Sequence, residues 1–600
     1  MKQALVLAAT AAISISAAAE VVFNECPRCE MEIRVSHDAK TAYVNLSKLG
    51  DATKEDRAAR AERLLAAGRI PAATSVKRPL MGWSSWNTFA CDISEDVILE
   101  TARAMATNGL KDAGYVFVNI DDGFFWGHGE DGRLRFNPNR FPNGMKPVVD
   151  GIHALGLKAG IYSDAGADTC GSMWQDAKGR YDKGGVGGGL YGHDEADCNL
   201  HFKELGFDFI KVDYCGGLRL GLEERTRYTQ ISQAIRATGR TDVRLNICRW
   251  SFPGTWAADV AESWRTTGDI RANWGSLKGI IRQNLYLSAY ARPGAYNDMD
   301  MMEVGHLKGS VKTNFGSSDE GFTPDEEALH FGAWCLLSSP LLIGCDARNV
   351  PETTMALLTN PYLLAMEQND LGLQAEVVAR PESDVYVLAK DADRFYGTAR
   401  YVAVFNLADA EKEVELRSAD FDLGGKIETF DLVERADPGS FRDSVFVRVR
   451  PHAGRFFRFD AEKRLERRVY EAECAFLTDF NDMRDWKKLG TVHADEADGA
   501  SGGVVVRNLG FRETNDMIWK RVNVHSGGRR ELVFRCAAPK HPRFFHAQVD
   551  GGRKVRVDVL PGDGQFVEVS LPVEVGPGVH TVRLSNAEAW MPDMDRMVLK

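Results

Sequence analysis

The sequence predicts an α/β chain: a (β/α)8 barrel of the TIM type, then an antiparallel β-sandwich, then a C-terminal all-β, jelly-roll-like module. Short apolar runs alternate with helical stretches through residues 79–371, the pattern of a parallel barrel. Residues 372–460 keep the strands and lose the helices, as a sandwich does. Residues 469–600 are again rich in strands, with Gly-rich turns such as Ser526-Gly-Gly and Pro561-Gly-Asp-Gly. An open doubly wound sheet is the alternative for the first region, and it would gather its site at one switch point instead of around a ring.

In chain order, residues 1–19 have the form of a secretory signal. Met1-Lys2 is a short basic start, Ala4 to Ile15 is mostly apolar, and Ala17-Ala18-Ala19 is a small-residue cleavage site. Export to the periplasm or the extracellular space is expected. Residues 20–78 form a polar N-terminal extension in which Glu55 to Ala67 reads as an amphipathic helix stopped by Gly68. The barrel strands follow at Met81 to Trp86, Tyr115 to Asp121, Leu157 to Tyr162, Phe209 to Asp213, Val243 to Cys248, Glu262 to Arg265, Ala295 to Asp298 and Leu341 to Cys345. Helices are expected between them, among others at Glu95 to Thr107, Met145 to Leu155 and Glu223 to Thr238. Asp384 to Leu388, Tyr401 to Asn406, Ser444 to Val449 and Gly454 to Phe459 are sandwich strands, and residues 461–468 are a charged linker.

A chain of 600 residues holds several domains, and 44% hydrophobic with 26% charged residues is ordinary for a globular protein. The net charge of −11 argues against nucleic acid or an anionic membrane as partner. Beyond the leader, no apolar run reaches the length needed to span a bilayer. The 11 cysteines are an odd number, so at least one stands outside any intrachain disulfide. Cys26 and Cys29 lack a second pair at zinc-ligand spacing, which leaves a local disulfide or two thiols.

The chemistry is concentrated at strand ends. Phe209-Ile-Lys-Val-Asp213 is a buried strand that delivers a carboxylate to its tip, and Ser263-Trp-Arg-Thr-Thr-Gly-Asp269 offers a second. Either aspartate alone reads best as the cap of the next helix. Paired across one barrel mouth, they are the apparatus of glycoside hydrolysis. No His pair accompanies them, which disfavours a metal-dependent hydrolase.

Seven further motifs, in order, carry a resemblance: Met81-Gly-Trp-Ser-Ser-Trp-Asn87, Asn119-Ile-Asp-Asp122, Gly160-Ile-Tyr-Ser-Asp-Ala-Gly166, Lys211-Val-Asp-Tyr-Cys215, Trp264-Arg-Thr-Thr-Gly-Asp269, Asn297-Asp-Met-Asp-Met301 and Leu337-Ser-Ser-Pro-Leu-Leu-Ile-Gly344. Together they resemble glycoside hydrolase family 27, the melibiase or α-galactosidase family, over about residues 79–460. The resemblance implies a retaining, exo-acting α-galactosidase with no cofactor for catalysis and an α-galactoside-containing glycan as substrate. Asp213 would be the nucleophile and Asp269 the general acid/base, with carboxyls roughly 5–5.5 Å apart. A Lys211 ammonium would hold Asp213 ionised, and Asp269 would be kept protonated by burial or by the Asp213 charge. Asp121 and Asp122 would grip sugar hydroxyls, and Trp86 would stack on the ring. Tyr162, Lys211, Trp250, Arg265, Asp300 and Met301 match positions that line the sugar pocket. Read without the family, Trp86 and Met301 are core, Asp121 and Asp122 cap a helix, and Arg265 with Asp300 is a structural ion pair. Cys170 and Cys215 match a disulfide beside the family's site.

One motif departs. The well-known α-galactosidases carry Cys-Glu-Trp at the fifth strand, where the Glu helps to read the sugar's 2-position. This chain has Cys248-Arg249-Trp250. An α-N-acetylgalactosaminidase or a β-L-arabinopyranosidase of the same family is therefore the alternative, and a non-catalytic sugar-binding protein a remote one. The two ends of residues 469–600 resemble carbohydrate-binding modules of families 6 and 35. That resemblance implies a structural calcium held by Glu471, Glu473 and Asp595.

Overall fold

The computed structural model describes residues 77–173, 181–309, 319–480, 491–537 and 540–600, together with the backbone of three short strands before residue 45. The leader, the Cys26–Cys29 pair and the Glu55 to Ala67 helix lie outside the described residues.

Eight parallel strands form one sheet: β1 (Met81–Ser84), β2 (Phe117–Ile120), β3 (Lys158–Asp164), β4 (Phe209–Asp213), β5 (Arg244–Ile247), β6 (Ser263–Arg265), β7 (Tyr296–Asp298) and β8 (Leu341–Ile343). From β1 to β7 each pairs with its neighbour in sequence, and β8 returns to pair with β1. A parallel bridge from Met302 to Ile343 joins the β7 side to β8, with the Met302 amide donating to the Leu342 carbonyl at 2.7 Å. The ring is closed, so the doubly wound alternative is excluded.

The helices form where the sequence supplies both a cap and an apolar stripe. Glu95–Thr107 follows β1; the Ser94 side chain accepts from the Val97 amide, two acids open the first turn, and Ile98, Thr101, Ala102 and Met105 face inward. Pro324–Leu337 begins with a Thr323/Glu326 capping box and is buried almost all round. Its burial has a simple cause, since it is sandwiched between the barrel and the next domain. A Cβ on Gly332 would lie 2.2 Å from the Phe456 ring, so only glycine admits this approach.

A separate apolar cluster fills the barrel: Leu80, Phe117, Phe209 and Leu342, with Trp86 and Met301 in the same cluster. The Phe117 and Phe209 rings meet edge to face at 6.1 Å beside β3, where Gly160 leaves room for them. The strand tips therefore stand on a packed floor.

The sandwich is a six-stranded antiparallel sheet facing a smaller one that contains Lys412–Arg417 and Ser444–Val449. Val22–Phe23, Ile33–Val35 and Ala42–Val44 extend the smaller sheet, so part of the N-terminal extension belongs to this domain. The expected linker at 461–468 is half strand. The last sandwich strand runs Ala453–Arg464 because it keeps pairing with Leu423–Asp431 as far as Leu423 opposite Arg464, and Arg464 also reaches Asp391 and Asp422. Residues 469–600 form two antiparallel sheets, and their first and last strands, Val469–Glu471 and Asp593–Leu599, pair with each other.

Candidate active site

Asp213 is the last residue of β4 and is buried. Its Oδ1 has no hydrogen-bond partner and lies 3.9 Å from Lys211 Nζ. Lys211 sits closer to Asp121, at 3.1 Å, and its ammonium is 5.4 Å from the Tyr162 ring centre. The expectation that Lys211 holds the Asp213 pKa down is half right. Lys211 does lower it, but burial raises it more and the Asp121 and Asp269 charges add to the rise, so the net direction is up.

Asp269 lies four residues past the end of β6, in the loop Thr266-Thr-Gly-Asp269 and not at the strand tip itself. Its side chain is 45% exposed and accepts from Arg265 Nη2 at 3.1 Å. The buried carboxyl expected from the sequence is therefore replaced by a half-exposed one. Arg265 is buried and also reaches Asp300 at 2.8 Å. Burial opposes its charge, but Asp300 and Asp269 outweigh that, and it is held cationic. The ion pair read from the sequence alone is thus real, and it also touches Asp269. Asp300, with φ of +89°, is pushed up to about 7 by burial.

Asp121 and Asp122 follow β2 directly, and a β-hairpin (Phe125–His128 with Leu134–Phe136) comes next, so they do not cap a helix. Both are buried. Asp122 accepts from the Gly123 and Gly171 amides and is pushed up to about 7 by burial. Asp121 accepts from Lys211 and from Ser84 Oγ at 3.3 Å. Asp121 thus ties the end of β2 to β1 and β4, and Asp122 ties it to the loop after β3. Trp86 and Met301 lie in the apolar cluster that fills the barrel, nearly buried, as the core reading has them.

The Cys170–Cys215 disulfide is present, with a Cα–Cα distance of 5.2 Å; the other described cysteines lie outside any disulfide. It ties the loop after β3 to the short helix Cys215–Leu220 that follows Asp213. The Cys170 amide donates to the Tyr162 hydroxyl at 3.3 Å. Sequence reasoning missed a partner in this fastening, Asp164 at the end of β3. Its Oδ1 accepts from the Gly166 and Gly216 amides at 2.6 and 3.0 Å, and burial pushes it up to about 8. The Asp-Ala-Gly pattern at a strand end was the available signal. Cys248 was also missed as a neighbour of Asp213; its Sγ accepts from Arg265 at 3.6 Å.

Arg249 follows β5, and its Nε lies 2.7 Å from Glu224 Oε2, while Nη1 donates to Ser251. The cation that replaces the family's glutamate therefore comes paired with a carboxylate from another segment. Trp250 beside it holds φ of +62°, a conformation that a bulky side chain adopts only under constraint.

Comparison with known proteins agrees with this geometry. The family model described as melibiase, α-galactosidase A, matches residues 78–369. α-Galactosidase 2 of Arabidopsis thaliana is 36% identical over 394 residues, covering 64% of this chain and 90% of the relative. The crystal structure of α-galactosidase I from Mortierella vinacea superposes with a TM-score of 0.55 at 28% identity, covering 64% of this chain and 97% of that one. A family 27 β-L-arabinopyranosidase from Geobacillus stearothermophilus superposes with a TM-score of 0.55 at 25% identity, covering 66% and 98%. A carboxylate at one strand tip and a second on a loop of the same closed barrel, set in this company, make the chain a glycoside hydrolase that belongs to the melibiase, or α-galactosidase, family.

Proposed function

We propose that the protein is an exported, retaining α-galactosidase that releases terminal galactose from oligo- or polysaccharides by double displacement. The observation that carries the mechanism is Asp213: buried at the β4 tip, one oxygen unengaged, with Asp269 on the β6 loop, one strand beyond β5, close enough to raise its pKa. An unengaged carboxylate oxygen has its lone pairs free to attack carbon. Asp269, half-exposed at the mouth, is placed to protonate the departing oxygen and then to activate water. Lys211, Asp121, Tyr162 and Asp300 build the surrounding polar wall. The leader-like residues 1–19 and the disulfide support an oxidising compartment.

Galactose is the favoured sugar because Asp121-Asp122 keeps the α-galactosidase form and because the charge of Arg249 is met by Glu224. Aryl α-galactoside, α-N-acetylgalactosaminide and β-L-arabinopyranoside, assayed side by side, decide it. The expected result is an α-galactoside kcat/KM at least about tenfold above either of the others. A faster 2-acetamido sugar would overturn the substrate and leave the mechanism standing.

We also infer that residues 469–600 are a carbohydrate-binding module stabilised by calcium. Glu471 and Glu473 each keep one buried oxygen without a hydrogen-bond partner, and burial raises both pKa values, with the neighbouring carboxylates adding to the rise. Hard oxygens that repel one another suit a cation. Asp595 is the weaker ligand, since it already accepts from Arg535 and from the Ser501 amide. Phe511 and Trp590, stacked at 5.2 Å, offer an aromatic surface. Calcium added to EDTA-treated full-length protein is expected to raise one calorimetric transition, by about 2.7 kcal/mol of stability at a hundredfold excess over Kd. Superimposable scans would mean that Glu471 and Glu473 are simply neutral buried acids.

A further inference from the structure

Among the described residues, every large apolar side chain that the barrel domain exposes lies on the three loops that follow β2, β3 and β4. Trp126 is 53% exposed, Val186 59% and Leu218 70%. None of the described residues of the other five loops or of the outer helices joins them. Elsewhere at the mouth the loops are ionic, with Arg249–Glu224 after β5 and Arg265–Asp269 after β6. An apolar surface confined to one sector of a mouth is not the scatter that a soluble domain shows by chance.

The sector is one connected body. A Cβ on Gly127, next to Trp126, would lie 3.1 Å from the Val186 carbonyl, and His128 bonds to Gly187. The loop after β3 then reaches the helix Cys215–Leu220, where Arg219 pairs with Asp168 at 2.9 Å and Gly216 is bonded to Asp164. The same helix starts at the disulfide, two residues beyond Asp213. The surface is therefore continuous with the sugar pocket through covalent and hydrogen-bonded links. It is also supported from beneath: Phe125, beside Trp126, packs its ring at 6.2 Å from Tyr162 in the pocket wall.

We propose that this sector is the platform for the aglycone, the part of a polysaccharide chain that remains outside when a terminal sugar is held at Asp213. The inference rests on the retaining-galactosidase reading above. In an exo-acting enzyme the pocket is blind, so everything beyond the scissile bond must leave across the rim. Pyranose rings present C–H faces that pack on indole and on aliphatic surface, whereas the ionic sector would have to be desolvated at a cost. The occupant is thus a neutral polysaccharide backbone carrying α-galactosyl branches, laid over the β2–β4 loops.

The test compares two substrates. Trp126→Ala is expected to raise KM for a galactosylated mannan about tenfold, the size of one lost aromatic contact, with kcat/KM for aryl α-galactoside held within a factor of about two. Trp126→Phe should recover most of the loss. Leu218→Ser should act in the same direction more weakly. Equal losses on both substrates, or no loss on the polymer, would overturn the proposal. So would a light-scattering mass showing that the wild type is a dimer and Trp126→Ala a monomer, because a second copy would then be the occupant. Failure of the galactosidase reading is distinguishable, since the wild type would leave the aryl α-galactoside uncut.

Discussion

Asp213→Gly is expected to lose turnover by on the order of a thousandfold or more and to regain part of it in azide. The substitution leaves a gap at the strand tip and retains the Lys211–Asp121 pair and Asp269. A small anion can enter that gap and attack the anomeric carbon from the side that Asp213 occupied. The rescued product should then be the glycosyl azide of inverted configuration, read by NMR. The wild-type pH profile follows from the same site. Asp213 must be ionised to attack, and burial raises its pKa. The acid limb of the profile therefore falls as pH drops through that raised value, at a higher pH than an ordinary carboxylate would give. Azide that accelerates nothing, or that yields product of retained configuration, would contradict the assignment.

The second large effect is selective by leaving group. Asp269→Ala removes the proton donor but leaves the nucleophile. Substrates whose leaving group needs protonation should slow by about 10²–10⁴, while activated aryl glycosides should form the glycosyl-enzyme at close to the wild-type rate. Breakdown of that intermediate needs a base, so it should accumulate and give a burst of phenolate. Added azide should speed the second step without changing the first. A uniform loss on good and poor leaving groups alike would assign Asp269 a structural part, through its contact with Arg265.

Much of this was legible in the chain because it depends on local pattern. The run Phe209 to Asp213 is a buried strand by composition and became one, and Glu95 to Thr107 was bounded by its Ser cap and its apolar spacing. What pattern could not supply is who stands beside whom across the ring. Lys211 is two residues from Asp213 in sequence, yet it is nearer to Asp121 of another strand. Asp269 looked like a buried tip, and three loop residues after Arg265 carry it into solvent. Arg249 read as a bare cation because Glu224, its partner, belongs to a distant segment. Of the two amides that Asp164 accepts from, only that of Gly166 is signalled by the local Asp-Ala-Gly pattern; Gly216 is remote in sequence. The strand at Ala453–Arg464 outran its predicted end because pairing with Leu423–Asp431, not apolar alternation, extends it. Periodicity reports burial, and these features are made by contacts between segments remote in sequence.

The central claim is that Asp213 becomes covalently bonded to the sugar. A 2-deoxy-2-fluoro or related mechanism-based galactosyl inactivator, followed by proteolysis and mass spectrometry, tests it directly. The expected result is one equivalent of label on the peptide containing Phe209 to Cys215, fragmented to Asp213, with none on the peptide carrying Asp269. Label on Asp269, Asp121 or any other carboxylate, or stoichiometric inactivation without a covalent adduct, would contradict the account.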